Sequence, residues 1–321
     1  MIIKELKGGS FSKTVIIEED GNKFVRKFIS RNIEREYGLV RWQSQIRKHQ
    51  IMSQAIGSEN VPKILSLGFQ DDSYYYDLEY LEDSKNVLDY LLDPYLNVNV
   101  DTAFKNIFEV IETYKRTSFG PLKGSFSLYI QEEIVSVLKR VCSDSKIKLL
   151  SLNESDEVGK LCAEAFELID SNADYLNNIA LVETLTHGNL TLENTMIDTS
   201  GKIKLIDLYA ETYCESWLGD VSQIMQSCIG NYELINDLDE SAFNCLFTEI
   251  SIPSSASYEE FKQHLNNFIS KLSHDDKVVL DVFYASQFIR MFPFKIDKTP
   301  RKAFYFIIKG LRILNEALKK C

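Results

Sequence analysis

The apolar residues of this chain change period near residue 85, and that change restricts the fold more than any other feature. Before it, short apolar segments at 2–6, 14–18, 23–29, 61–70 and 74–81 are separated by turn residues, among them Gly8-Gly9 and Asp20-Gly21. Short apolar runs bounded by Gly and Asp read as strands, and Asp-Gly between two of them is a strong hairpin signal. One stretch breaks the series. In NIEREYGLVRWQSQIRKHQI, residues 32–51, Ile33, Tyr37, Val40 and Ile46 recur at roughly helical spacing. Five strands around one helix predict a compact α+β unit.

Beyond residue 85 the pattern is helical, with candidate helices near 101–116, 127–143, 156–177, 217–231, 258–271, 275–290 and 301–319. Asp101, Ser257 with Glu260 three positions later, and Thr299 followed by Pro300 are start signals. Between these helices, MID and KIKLI flank Thr199-Ser200-Gly201, which predicts one hairpin over 195–206. The expected layout is a strand-rich N-lobe over residues 1–81, a link near 78–84, and a larger helical C-lobe over residues 82–321. A ligand is expected in the cleft between them.

Charge and cysteine usage narrow the partners. The chain carries a formal charge of −11 over 321 residues, and residues 1–83 hold 12 Lys and Arg against 13 Asp and Glu. The acidity therefore sits almost wholly beyond residue 83. Non-specific binding to nucleic acid or to an anionic membrane needs clustered Lys and Arg, so neither partner is expected. The six cysteines form no C-x-x-C pair and read as thiols in a reducing compartment. MIIKELKGGS lacks the apolar run of a signal peptide, and no stretch approaches the length of a membrane span, so a cytoplasmic location is expected.

The chemistry lies in LTHGNLTLENTMIDTSGKIKLIDLYAE, residues 185–211. Phosphoryl transfer needs Mg²⁺ held by hard oxygens, because the phosphates and the charge that develops on them must be neutralised. An Asn carbonyl and an Asp carboxylate are suitable ligands, and the predicted hairpin can bring Asn194 and Asp207 together. Each residue alone has a plainer reading. Lys27 could be a solvated strand lysine, Glu36 an exposed helix charge, Asp207 a turn residue, and His187 a buried histidine bonded to backbone. Their order along the chain is what raises the functional reading.

That order resembles the aminoglycoside phosphotransferase/choline kinase family of the protein-kinase-like fold, whose catalytic and metal loops read H-G-D-x-x-x-x-N followed by an I-D strand end. Here the motif is His187-Gly188-Asn189 through Asn194, then Ile206-Asp207. The resemblance runs from residue 5 to about 230. It implies that Gly8, Gly9, Ser10, Phe11 and Ser12 form the phosphate loop, and that Lys27 binds the nucleotide. Glu36, with Glu34 as fallback, would pair with Lys27. DLEYLED would be the hinge, so that Glu79 and Tyr80 meet the adenine. Asn194 and Asp207 would hold Mg²⁺, and Asp220 would support the catalytic loop. The implied cosubstrate is ATP or GTP. The implied acceptor is a small-molecule hydroxyl, on a sugar or polysaccharide precursor, an aminoglycoside or an amino alcohol. FIRMFPFK, residues 288–295, more weakly resembles bacterial phosphotransferases encoded with surface-polysaccharide genes.

The motif departs from the family at one position, the catalytic one. Asn189 stands where the family keeps the general-base Asp, and an amide cannot take a proton. Three readings stay open: an enzyme disarmed by a near-isosteric replacement, a natural pseudokinase that binds nucleotide and regulates a partner protein, and an enzyme that works through positioning and metal alone. Lys27, Glu36, Asn194 and Asp207 all stand, which favours the first.

Overall fold

The computed structural model describes residues 1–6, 12–31, 37–96, 98–122, 125–209, 213–247 and 250–321. Its N-terminal part is a five-stranded antiparallel sheet in the order β1-β2-β3-β5-β4. The strands are β1 (Ile2–Leu6), β2 (Ser12–Glu19), β3 (Asn22–Ser30), β4 (Ile64–Gln70) and β5 (Ser73–Glu79), with helix α1 (Tyr37–Ile56) between β3 and β4. The β2–β3 turn is the Asp-Gly hairpin expected from sequence. Asp20 (φ 51°) and Gly21 (φ 78°) both take the left-handed conformation that a two-residue turn of this hand needs.

Helix α1 lies on one face of the sheet. The Trp42 indole donates to the Tyr75 carbonyl (3.0 Å), and the Tyr76 hydroxyl donates to Gln45 (3.2 Å). Its burial differs from the spacing read in the sequence. Val40 is 54% exposed, whereas Gln45 and Lys48 are buried beside Ile46. The reason is that this helix packs polar side chains against other polar groups, so apolar periodicity does not mark its inner face. Its last turns, at Met52 and Ile56, belong to the core of the helical part.

That helical part begins with β6 (Ser84–Asn86) and α2 (Val87–Leu92), then α3 (Val100–Lys115), β7 (Ser118–Leu122), α4 (Ser125–Tyr129), α5 (Ser136–Ser143), α6 (Leu152–Ser171) and α7 (Ala173–Asn178). Next come β8 (Leu181–Thr184), β9 (Thr195–Asp198) and β10 (Ile203–Leu205), followed by α8 (Trp217–Cys228), α9 (Tyr232–Asn236), α10 (Ala256–Ser270), α11 (His274–Ile289), α12 (Phe292–Lys295) and α13 (Pro300–Leu318). The stretch read as one helix over 127–143 is α4 and α5 joined by a π-helical segment, Ile130–Val135. The predicted hairpin is β9–β10, and β6 adds to it as a third strand. Strands β6, β7 and β8 are too short to show alternation, which hid them in the sequence.

Capping explains where two helices begin. Asn99 accepts from the Thr102 amide and starts α3, placing Asp101 in the first turn. Ser255, not Ser257, accepts from the Tyr258 amide and starts α10. Thr299-Pro300 does open α13, with Pro at the first position, where its missing N–H costs nothing. The core centres on α8, α11 and α13, with Phe261, Phe283, Phe288, Phe304 and Phe306 buried. Gly310 lets α13 approach α11 closely, since a Cβ there would sit 2.7 Å from Ile289 Cγ1 and 2.9 Å from the Ala285 carbonyl. Among the described residues, no helix is long and apolar enough to cross a membrane.

Candidate active site

The site is assembled where the sheet meets the loop before β9 and the residues after β10. Lys27 sits in β3 opposite Tyr76 of β5 and is 7% exposed. Its ammonium makes a direct ion pair with the Asp207 carboxylate, which is itself half-exposed. Burial alone would push the Lys27 pKa down, but the adjacent Asp207 charge outweighs it and raises the value. Burial likewise works against ionisation of Asp207, and Lys27 overcomes it, holding the carboxyl below its usual range. Both groups are therefore charged at neutral pH. Two residues 180 positions apart in sequence meet here, and Asp207 does so from a left-handed backbone (φ 57°) just after β10.

The loop at 187–194 is laced to the hairpin. The Tyr209 amide donates to the His187 carbonyl and the Ile206 amide to the Asn194 carbonyl, both at 2.9 Å. Gly188 (φ 80°) cannot be another residue without strain, because a Cβ would lie 2.3 Å from the Tyr209 carbonyl oxygen. The Asn194 amide nitrogen donates to the Asn189 carbonyl (2.8 Å), which turns the Asn194 side-chain oxygen away from that bond. Asn189 Nδ2 lies 3.5 Å from Asp207 Oδ2. Asn189, Asn194 and Asp207 are thus linked side by side.

Helix α8 holds this loop from behind. Asp220 accepts from the His187 amide (2.6 Å), the Gly188 amide (2.8 Å) and the Tyr114 hydroxyl (2.6 Å). Gln223 accepts from the Leu190 amide (2.5 Å) and donates to the Gly188 carbonyl (2.8 Å), and Ser227 accepts from the Leu192 amide (3.0 Å). Positions 220, 223 and 227 share one helix face, so three side chains satisfy the amides of residues 187, 188, 190 and 192. Burial pushes the Asp220 pKa up to about 6 in spite of its three donors. His187 is fully buried, and burial lowers its pKa to about 3. It is neutral, with Nδ1 accepting from the Asn189 amide (3.1 Å). Its position is that of a loop brace.

Gln223 and Ser227 escaped the sequence reading. The signal was there, as polar residues spaced along one face of the otherwise apolar WLGDVSQIMQSC. A second unforeseen group is Lys48 of α1, which is buried and donates to both oxygens of Glu215 (2.8 and 2.9 Å) and to Thr186 (3.2 Å). It ties the helix beside the sheet to the segment that leads into α8.

The remaining expected residues divide into two groups. Gly8, Gly9, Ser10 and Phe11, with Glu34 and Glu36, lie outside the described residues. Ser12 opens β2 opposite Ile29. Glu79 ends β5, where its amide donates to the Lys63 carbonyl (2.9 Å) and its carboxylate accepts from Lys204 (2.8 Å). Its N–H is therefore taken within the protein, and its side chain links the sheet to β10. Tyr80 follows, its ring 5.7 Å from the Lys23 ammonium.

The donor set fits a magnesium ion. Asp207 offers a carboxylate and Asn194 an amide oxygen, both hard ligands of the type Mg²⁺ prefers, next to a lysine suited to phosphate.

Comparison with protein-family models and with curated protein sequences gave no match. Among solved structures, the ADP-bound aminoglycoside phosphotransferase APH(2'')-Ib aligns with a TM-score of 0.52 at 13% identity, over 98% of this chain and 93% of that one. Spectinomycin phosphotransferase APH(9)-Ia, in complex with ADP and spectinomycin, aligns with a TM-score of 0.52 at 10% identity, over 99% of this chain and 93% of that one. The sheet with one helix, the larger helical part and these alignments together give the chain the α+β, protein-kinase-like fold found in aminoglycoside phosphotransferases.

Proposed function

We propose that this chain is built as a nucleotide- and Mg²⁺-dependent phosphotransferase acting on the hydroxyl of a small molecule, and that Asn189 leaves it inactive in this form. The observation that carries the reading is the meeting of Lys27 with Asp207, alongside Asn194 and Asn189. Lys27 would orient the phosphates of ATP or GTP. Asn194 and Asp207 would hold the metal, which supplies neutralisation of phosphate charge when bound. The solved structures similar to this chain hold ADP, which supports a nucleotide cosubstrate. Such a nucleotide supply suits a cytoplasmic protein.

Residue 189 decides activity. With Asp there, a carboxylate would take the proton of the acceptor hydroxyl. With Asn there, the acceptor can be oriented but not deprotonated. Losing a general base costs about 10²–10⁴-fold in rate, or about 3–5 kcal/mol of barrier. Asn189→Asp is therefore expected to turn on phosphorylation in a small-metabolite extract supplied with Mg-ATP or Mg-GTP, followed by mass spectrometry. Phosphorylated product from the Asn form at the same rate would sink the assignment of residue 189.

One observation favours a second reading, a nucleotide-binding pseudokinase that regulates a partner protein. The Asn189 amide points a donor at Asp207 Oδ2, an interaction that an Asp could not make. That reading expects nucleotide binding without turnover in both forms.

A further inference from the structure

Among the described residues, the outer strands of the five-stranded sheet are β1 and β4, and these two edges differ. β1 carries Lys4 and Glu5, and Glu5 pairs with Lys13 of β2 (3.2 Å). Charges on an edge strand discourage a further strand from pairing with it. β4, ILSLGFQ, has no charged residue and no proline. Its apolar side chains face solvent instead: Leu65 is 56% exposed, Leu67 46% and Phe69 51%.

The turn that follows β4 fixes which of its backbone groups are open. Asp71 (φ 47°) and Asp72 (φ 60°) close β4 onto β5 as a two-residue hairpin. Gln70 and Ser73 are the pair nearest that turn, where the two strands exchange hydrogen bonds. Bonded and non-bonded pairs alternate from there. Phe69, opposite Tyr74, and Leu67, opposite Tyr76, therefore turn their N–H and C=O groups toward the free edge. A register shift between Ile64 and Ser66 ends this regular stretch.

The two faces of the strand are also unlike. On one face, Ser66 bonds to Asp77 and Gln70 to Arg26, and the Tyr75 ring lies over Gly68. That face is closed by its own polar network. On the other, Leu67 and Phe69 share the side of Tyr76 and Tyr74, where α1 packs over β3 and β5. The helix leaves both β4 side chains about half exposed.

The ends of this edge carry opposite charges. Lys63 precedes β4, and Asp71 and Asp72 follow it. A second copy laid antiparallel would bring the Lys63 end of each strand to the Asp71-Asp72 end of the other, twice over. A parallel copy would set like charges together. The edge is thus self-complementary, as a two-fold interface requires. Leu67 and Phe69 of each copy would meet those of the other, and such cross-strand apolar pairs stabilise a sheet.

We propose that β4 is an interface for a second copy of this chain, the two β4 strands pairing antiparallel about a two-fold axis and joining the two sheets into one. The pairing gives the open N–H and C=O groups of Leu67 and Phe69 their partners and removes the exposed apolar edge from water. It does not depend on the phosphotransferase reading.

Sedimentation velocity of the full chain over the micromolar range tests it, and a concentration-dependent dimer is expected. Leu67→Arg should raise the dissociation constant about ten-fold or more, the scale of losing an interface anchor. Ile3→Arg, on the other edge, should leave it unchanged. Lys63→Glu should raise it by a smaller factor, because like charges then meet at both ends. Thermal melts of dilute samples check that each variant keeps the fold. Hydrogen exchange reads the strand directly. The Phe69 amide should exchange about ten-fold or more slowly in the dimer than in the dilute monomer, whereas the Gly68 amide, already bonded to β5, should change little. A chain that stays monomeric at every concentration overturns the proposal. So does a dimer that Leu67→Arg or Lys63→Glu leaves unchanged, one that Ile3→Arg breaks, or one whose Phe69 amide gains no protection.

Discussion

The two parts of the molecule are held together by different physics. Among the described residues, the sheet and α1 share only a small apolar cluster around Ile29, Ile46 and Tyr76. The helical part buries a continuous apolar core through α8, α11 and α13. Besides the apolar last turns of α1 at Met52 and Ile56, polar bonds tie the first to the second: Lys27 to Asp207, Lys48 to Glu215 and Lys204 to Glu79. Apolar burial is non-directional, so it fixes the helical part as a mass. Ion pairs are directional, so they set where the sheet stands over the loop at 187–194. The Lys27–Asp207 contact at the site itself is therefore of the more ligand-sensitive of the two kinds.

Three tests would break or sharpen this contrast. The largest effect is expected in the apolar core. Phe304→Ala, at a fully buried position packed on Phe292, should cost about 3–5 kcal/mol. Ile29→Val in the sheet should cost about 0.5–1.5 kcal/mol. Urea unfolding measures both, and equal losses would contradict the contrast.

The next effect is pH-dependent and belongs to the helical part. Burial alone would raise the Glu154 pKa, but the two-pronged bond from Arg301, with donors from Ser151 and Leu246, lowers it to about 2. A carboxyl depressed on folding stabilises above its unfolded value and loses that contribution as pH falls through the folded one. The contribution should be about 3 kcal/mol above pH 4.5, fading toward pH 2. Wild-type stability should fall more steeply across that window than that of Glu154→Gln; parallel curves would show that the pair contributes nothing.

The smallest effect concerns the contacts that tie the site together. Asn189→Asp would put two carboxylates about as close as Asn189 and Asp207 now lie, 3.5 Å. Because Asp207 is half-exposed, solvent should hold the penalty to about 1 kcal/mol. Thermal melts should show the Asp form less stable than the Asn form in EDTA, with Mg²⁺ closing the gap. A gap that Mg²⁺ does not change would remove the metal from this site.

Much of the fold was legible because it rests on local rules. The Asp20-Gly21 turn, the Pro300 start of α13 and the hairpin around Gly201 follow from backbone preferences of one or two residues. The loop motif from His187 to Asn194 and the strand end at Asp207 were legible as an ordered set. Val40 shows the limit. Periodicity placed it on the inner face of α1, but the inner face carries Gln45 and Lys48, whose partners lie on other strands and loops. Gln223 and Ser227 were missed for the same reason, since what makes them matter is a run of amides found elsewhere in the chain.

Sequence by itself determined the change from strands to helices near residue 85, the turn and cap positions, and the residue types available for phosphate chemistry. Those depend on neighbours within a few positions, where steric and hydrogen-bond preferences act directly. Only the tertiary structure decided that Lys27 meets Asp207 and that Asp220 carries two loop amides. Each of those joins residues far apart along the chain. Their pairing depends on how the apolar core orients whole elements, and no local preference encodes it.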